Sequence, residues 1–186
     1  MNYVVLAAGE SGRMGFDKTT TRLGETTPLE RIAHALGKRR TILVVPTRLR
    51  AFASEMMPHA EVVTNDEPRR GMTHSLRIGL SAVPTSEPFG VLLGDMPAMT
   101  EATIAQTEAL LGDGIDVAFP VRADGVPGHP VLFSARSRAV VDSLREGDTL
   151  RHARDDASLV RATWICTGAS AFLDLDVPAE WEAFRA

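Results

Sequence analysis

Short hydrophobic runs alternate along the chain with longer segments in which apolar residues recur at helical spacing. The runs predict strands at residues 3–7, 42–45, 61–64, 90–93, 117–120, 130–133 and 160–164. The intervening segments predict helices at residues 28–36, 48–57, 72–82, 100–111 and 135–144. Because nearly all strand positions are apolar, both faces of the sheet must be covered. The pattern therefore predicts an α/β fold with a mostly parallel central sheet and helices on both faces.

Signals at the helix ends agree with this pattern. Pro28 suits a first helical turn, Thr100 suits an N-cap and Gly112 suits a C-terminal stop. The 186 residues contain no internal repeat, linker or low-complexity segment. We therefore expect one domain that spans residues 1–186.

Composition excludes several classes of protein. A net charge of −4 without a run of like charges argues against a nucleic-acid binder. No apolar run is long enough to span a membrane, and the first residues do not have a signal-peptide pattern. The single cysteine, Cys166, cannot form an intramolecular disulfide, which favours a reducing compartment. We expect a soluble, cytoplasmic protein without nucleic-acid or membrane partners.

The most informative segment, LAAGESGRMGFDK at residues 6–18, follows the first predicted strand. Gly9, Gly12 and Gly15 allow the backbone to turn sharply and approach a ligand, and Arg13 and Lys18 add positive charge. A flexible turn with exposed amides and two cations is suited to holding polyphosphate. An ordinary turn would need one glycine and no paired cations. The segment therefore indicates a nucleotide enzyme.

Two other phosphate-binding loops do not fit this segment. A Walker A loop ends in Gly-Lys-Ser/Thr, whereas Lys18 follows an aspartate outside the glycines. A dinucleotide fingerprint has a different glycine spacing and an acidic residue after the second strand, where this chain has Pro46 and Thr47. Nicotinamide binding is therefore not expected.

Acidic residues near predicted strand ends are candidates for a metal site. Asp95 follows the strand at 90–93 and a glycine, which suits binding of Mg²⁺; the alternative is an aspartate that bonds backbone amides in a turn. Asp174 or Asp176 could complete the site, with Asp174 favoured; the alternative is the solvated face of an edge strand.

Two further segments suit substrate binding. Gly71 and Ser75 could approach a base, although the same segment also reads as a helix start capped by Thr73, with His74 as a polar helix residue. His129, between a glycine and a proline, could face the cleft and bind the acceptor, or be structural. Motifs for a catalytic serine, a reactive cysteine or a zinc site are missing, and burial in an apolar strand would make Cys166 inert.

Together these segments resemble the MobA-like nucleotidyltransferases, most of all the molybdenum cofactor cytidylyltransferases. The resemblance rests on residues 6–18 and on GMTHSLRIG (71–79), GDMP (94–97), GHPV (128–131) and DLDVP (174–178), in the family's order. It implies a single Rossmann-like domain that moves a nucleoside monophosphate from a nucleoside triphosphate to a phosphorylated acceptor, with release of pyrophosphate.

The resemblance also implies roles for individual residues. Arg13 and Lys18 would bind phosphates, Asp95 would carry Mg²⁺, and Ala8, where guanylyltransferase relatives tend to have glycine, favours CTP over GTP. The base and sugar would be held by the residues that match the family's nucleotide site: Leu6, Ala7, Ala8, Gly9, Gly71 and Ser75.

The chain departs from the family where the acceptor would be specified. Residues 19–22 read Thr-Thr-Thr-Arg in place of leucines, and could cap a turn or line a polar acceptor pocket. Residues 146–156 resemble the family's substrate loop only loosely. Molybdopterin is therefore one candidate acceptor, and a sugar- or alcohol-phosphate cytidylyltransferase is the alternative. A non-catalytic nucleotide-binding accessory protein is also compatible, whereas a glycosyltransferase would show Asp-x-Asp near Asp95.

Overall fold

The computed structural model describes residues 1–9, 17–174, 181 and 184. The strands are Asn2–Leu6 (β1), Arg40–Val45 (β2), Glu61–Thr64 (β3), Phe89–Leu93 (β4), Val117–Val121 (β5), Val131–Phe133 (β6) and Arg161–Ile165 (β7). The α-helices are Pro28–Leu36 (α1), Arg50–Met56 (α2), Met72–Leu80 (α3), Glu101–Glu108 (α4), Arg138–Asp142 (α5) and Leu150–Arg154 (α6). Every predicted strand is present, with its ends within two residues of the prediction.

The strands form one sheet in the order β3-β2-β1-β4-β6-β5-β7. All pairs are parallel except those that β6 makes with β4 and β5, so the predicted mostly parallel sheet is confirmed. Two consequences follow for one edge of the sheet. The carboxyl ends of β1 to β4 meet there, and the start of β6 lies at the same edge because β6 runs in the opposite direction.

Helices cover both faces of the sheet, as predicted. Alternate side chains of β1 show why, since Val4 packs into one buried cluster and Val5 into another on the opposite face. The first cluster takes residues from α3, α5 and α6, and the second from α1, α2 and α4. One α/β domain with two hydrophobic layers results.

Two of the three predicted helix-end signals, Pro28 and Thr100, are confirmed, and the third, Gly112, is wrong. Thr27 and Glu30 form a capping box before α1, with Pro28 in the first turn, and the Thr100 side chain accepts from the Thr103 N–H at the start of α4. However, α4 ends at its C-cap Ala109, three residues before the predicted stop at Gly112. The chain from 109 to 112 forms tight turns instead.

Other helices are shorter than predicted, and one was missed. The predicted helices at 48–57 and 135–144 each begin with a 3₁₀ turn, at Thr47–Leu49 and Ala135–Ser137, before α2 and α5. Helix α3 ends at Leu80 rather than at 82. Helix α6 is only five residues long, too short for its apolar spacing to stand out in the sequence.

Strand β7 lies at the edge of the sheet and is not wholly apolar. Its exposure alternates, so one face is open to solvent, and Cys166 is buried just beyond its end. Within the described ranges, no helix has both the length and the apolar character that crossing a bilayer requires.

Candidate active site

A cavity of about 180 Å³, here called the nucleotide cavity, opens at the carboxyl edge of the sheet. It collects side chains and backbone from the ends of β1 and β4 and from the start of α3. Its lining includes eight of the residues predicted for the site: Leu6, Ala7, Ala8, Gly9, Lys18, Gly71, Ser75 and Asp95. Segments that lie far apart in sequence thus meet where ligands bind in open α/β sheets.

Close approach of two strand ends places Asp95 in this cavity. The Gly94 N–H donates to the Leu6 carbonyl at 2.8 Å, which continues the β1–β4 pairing beyond the strands. A Cβ on Gly94 would lie 2.6 Å from the Ala7 Cβ, so only glycine allows this approach. The next residue, Asp95, is therefore held beside the end of β1.

The two oxygens of the Asp95 carboxylate differ, because one forms an ion pair and the other has no partner among the described residues. Its Oδ2 lies 2.5 Å from the Lys18 Nζ, and both side chains are more than four-fifths buried. Its Oδ1 is buried and has no hydrogen-bond partner among the described residues. A buried oxygen without a partner costs about 1–3 kcal/mol. No described backbone amide bonds Asp95, so the turn alternative is not observed.

A divalent cation fits this oxygen. Mg²⁺ prefers hard oxygen ligands and is usually held by one or two carboxylates together with substrate phosphates and water. In the described ranges, no group of three acidic, histidine or cysteine side chains could enclose a metal by itself. The donor set therefore suits a cation that arrives with a phosphorylated ligand.

The chain around Lys18 is fixed by local hydrogen bonds. Asp17 accepts from the Thr19 N–H at 3.1 Å and from the Thr19 hydroxyl at 2.7 Å, while its backbone carbonyl accepts from the Thr21 hydroxyl. Arg48, just beyond β2, binds the other Asp17 oxygen at 2.9 Å. Thr19 and Thr21 therefore stabilise a turn, and Thr19 also lines the nucleotide cavity.

The start of α3 presents Ser75 to the cavity. Gly71 has φ +88°, a left-handed conformation that favours glycine, and it begins the helix without a side-chain cap. The buried Asn65 amide donates to the Ser75 Oγ at 2.8 Å and its oxygen accepts from the Glu67 N–H at 2.8 Å. Asn65 thereby orients Ser75. Sequence reasoning missed Asn65, although a polar residue directly after β3 was a signal for it.

Thr73 does not cap α3, so that interpretation is wrong. The N-cap is Gly71, and the buried Thr73 hydroxyl donates to the Asp148 carbonyl. The Arg77 guanidinium likewise donates to the Leu144 carbonyl. These bonds tie α3 to the turn that precedes α6. The side chain of His74 is only partly exposed, and its Nε2 lies 3.6 Å from a Glu67 carboxylate oxygen.

His129 lies next to the nucleotide cavity rather than in it. It precedes β6 and lines a second cavity of about 190 Å³, which shares Met72 with the nucleotide cavity. Burial lowers the pKa of His129 from its ordinary 6.5, and the imidazole is therefore neutral at pH 7. Its Nδ1 lies 3.3 Å from the Val91 carbonyl, so Nδ1–H donates there and Nε2 remains an acceptor.

Three predicted residues are not brought into the cavity by the described structure. Arg13 and Asp176 lie outside the described residues. Asp174 is exposed and follows a 3₁₀ turn at Ala169–Ala171. The phosphate role of Arg13 and the metal role of Asp174 remain predictions.

Solved structures share this fold over almost the whole chain. A homologue of Mycobacterium tuberculosis Rv0371c from Mycobacterium sp. strain JC1 is 26% identical with a TM-score of 0.83, covering 99% of this chain and 94% of that chain. A manganese complex of Rv0371c from M. tuberculosis H37Rv is 24% identical with a TM-score of 0.79, covering 98% and 96%. The inositol-1-phosphate CTP transferase of T. maritima is 18% identical with a TM-score of 0.74, covering 98% and 94%.

No curated protein has a sequence that matches this chain. A family model does match, over residues 3–162. This range includes the described residues that line the nucleotide cavity and the second cavity. The strand order, the composition of the nucleotide cavity and this match agree with one another. The chain belongs to the family of the MobA-like NTP transferase domain.

Proposed function

We propose that this protein transfers a nucleoside monophosphate, with CMP favoured, from a nucleoside triphosphate to a phosphorylated acceptor and releases pyrophosphate. One observation carries the proposal. Lys18 and the unpartnered Asp95 oxygen meet the end of β1 in a single cavity, which provides a cation and a metal ligand beside a backbone suited to a nucleotide. Molybdopterin is the first acceptor to test.

The walls of the cavity divide between the two parts of the nucleotide. The apolar β1 end and the Ser75 hydroxyl suit a flat base and its sugar, since they combine apolar contact with few polar groups. The backbone N–H groups of Ala8 and Gly9 donate to no described backbone carbonyl and are available to the ligand. Lys18 and Asp95 lie on the side where the phosphates would be bound.

The chemistry needs charge compensation and positioning more than proton transfer. An acceptor phosphate is already ionised at pH 7 and must attack the α-phosphorus in line, although both partners are anionic. Lys18 supplies a point charge for the phosphate oxygens, and Arg13 is expected to add a two-pronged contact. Asp95 would hold a divalent cation, which would supply compensation for the negative charge of the phosphates.

Further observations favour a particular nucleotide, a divalent metal and a second candidate function. Ala8 in place of glycine supports CTP, and the similar fold of an inositol-1-phosphate CTP transferase agrees with a cytidine nucleotide. The manganese complex of Rv0371c supports a divalent metal, for which we propose Mg²⁺. That same CTP transferase favours the second candidate function, a sugar- or alcohol-phosphate cytidylyltransferase.

Pyrophosphate release tests the proposal. The purified protein is given CTP or GTP, Mg²⁺ or Mn²⁺, and a panel of acceptors that includes molybdopterin and sugar and alcohol phosphates. We expect release with CTP, and a loss of about 10²–10³-fold in turnover for Asp95→Asn. The exposed Asp113→Asn variant is the control and should keep wild-type turnover.

Three results would contradict parts of this proposal. A folded protein that binds no nucleoside triphosphate with either metal would refute it. Binding of CTP without release for any acceptor would instead identify a nucleotide-binding accessory protein. Wild-type turnover in Asp95→Asn would remove the metal role of that carboxylate.

A further inference from the structure

A broad groove of about 770 Å³ lies beyond the second cavity, and we call it the arginine groove. Its lining includes Arg151, Arg154 and Arg161, with Phe119 at its base. Arg151 and Arg154 also line the second cavity, which in turn shares Met72 with the nucleotide cavity. The three cavities therefore adjoin, and a ligand in the groove can extend toward the nucleotide.

The arginine groove is positively charged in a chain whose net charge is −4. Three arginines line it against one described acid, Asp155. Arg154 occupies both carboxylate oxygens of that acid, at 2.8 and 2.9 Å. Arg151 is 79% exposed, and its contact with Asp155 is longer, with Nε 3.4 Å from Oδ2. The exposed Arg161 contacts only the backbone carbonyl of Asp155, also at 3.4 Å. Two cations thus retain most of their capacity to bind an anion.

The short helix α6 explains how these side chains come together. Leu150 and Ala153 are buried in the core. Arg151 and Arg154 are three positions apart and therefore lie together on an adjoining face of the helix. The Arg154 guanidinium lies 5.2 Å from the centre of the buried Phe119 ring, and this cation–π contact holds the guanidinium in place at the base of the groove. The site therefore combines an apolar base with cations at its rim.

We propose that the arginine groove binds the acceptor, and that this acceptor carries a second anionic group, distant from its reacting phosphate, which Arg151 and Arg161 bind. The inference rests on the proposed function, because it places the reacting phosphate toward His129 and the nucleotide cavity. It names the acceptor class as an elongated phosphate monoester with a distal anion. A compact, otherwise neutral alcohol phosphate would leave the two arginines without a ligand.

Calorimetric binding to simple probes tests this without knowledge of the natural acceptor. The probes are alkane-1,n-diol bisphosphates with four, six or eight carbons, each paired with its monophosphate. We expect at least one bisphosphate to bind about ten- to a hundredfold more tightly than its monophosphate, as charge-assisted hydrogen bonds would give. Arg161→Ala, Arg161→Gln and Arg151→Ala should each remove most of that preference.

Arg122→Ala is the matched control. Arg122 is an exposed arginine that pairs with Asp124, and it directly follows Val121, which lines the groove. It should keep the bisphosphate preference. Equal affinity for bisphosphate and monophosphate at every spacing would overturn the inference. An effect of Arg122→Ala as large as that of Arg161→Ala would also overturn it, since general charge would then explain the binding.

The failure of this inference is distinguishable from failure of the proposed function. Binding of CTP with Mg²⁺ is measured on the same samples, and we expect Arg161→Ala to leave it unchanged. If CTP does not bind but Arg161 still selects bisphosphates, the groove stands and the proposed function fails. If CTP is turned over with a phosphate monoester and no probe is preferred, the function stands and the groove assignment fails.

Discussion

The nucleotide cavity and the arginine groove are built from different parts of the sheet. The cavity uses the ends of two central parallel strands, and hydrogen bonds continue past those ends through Gly94. The groove uses a five-residue helix and the edge strand β7, whose outer face is open to solvent. The groups proposed for the transfer lie beside the ends of central strands, whereas those proposed to select the acceptor lie at the periphery, where substitutions disturb the core least.

The largest expected effect would separate the two regions by function. Lys18→Ala removes the cation beside Asp95, and we expect turnover to fall about 10²–10³-fold, as for loss of a preorganised charge in an active site. The preference for bisphosphate probes should not change. Steady-state pyrophosphate release and calorimetry give the two readouts. Lys38→Ala is the control, because Lys38 is exposed and is the other lysine in the sequence; equal losses in both variants would contradict the division.

A smaller effect is expected where the backbone of the nucleotide cavity is packed most closely. Gly94→Ala places a Cβ 2.6 Å from the Ala7 Cβ, and such overpacking costs about 1–3 kcal/mol of unfolding free energy. Gly112→Ala is matched to it, since a Cβ there meets no atom within 4 Å. Urea denaturation compares the two. If both variants are as stable as the wild type, the cavity is less rigid than its contacts indicate.

The smallest effect concerns His129, at the junction of the two regions. Because burial lowers its pKa, the unfolded chain binds more protons than the folded protein as the pH drops below the ordinary value of 6.5. This histidine's contribution to stability is therefore complete above that pH and is lost on acidification. His129→Asn should flatten the dependence of the unfolding free energy on pH there, whereas His59→Asn, at an exposed position, should not. An unchanged slope in His129→Asn would contradict the burial argument.

Much of the fold could be predicted because its strands are short apolar runs between recognisable helices. The opposite direction of β6 could not be predicted, since three buried residues have the same pattern in either direction. That direction matters for the candidate site, because it brings the start of β6, and with it His129, to the carboxyl edge. Helix α6 was not predicted because it has only five residues, too few for a helical spacing to be recognised. The placement of Arg151 and Arg154 was therefore not predicted either.

In the site, the sequence predicted the residues that touch the cavity better than those that support them. Lys18, Ser75 and Asp95 stand in motifs, so their types and positions indicated the chemistry. Asn65 and Arg48 act through other residues and belong to no motif. Their hydrogen bonds depend on how β2, β3 and the turn after Asp17 come together, which no local pattern specifies.

The two hydrogen bonds that leave α3 have a consequence for how the molecule opens. The side chains of Thr73 and Arg77 donate to the backbone carbonyls of Asp148 and Leu144, respectively. These hydrogen bonds connect the first turns of α3 to the segment before α6. Partial unfolding that frees either segment must also break the bonds of the other. Amide protons in the two segments should therefore exchange with solvent as one group, and a protease that gains access to one segment should gain access to both.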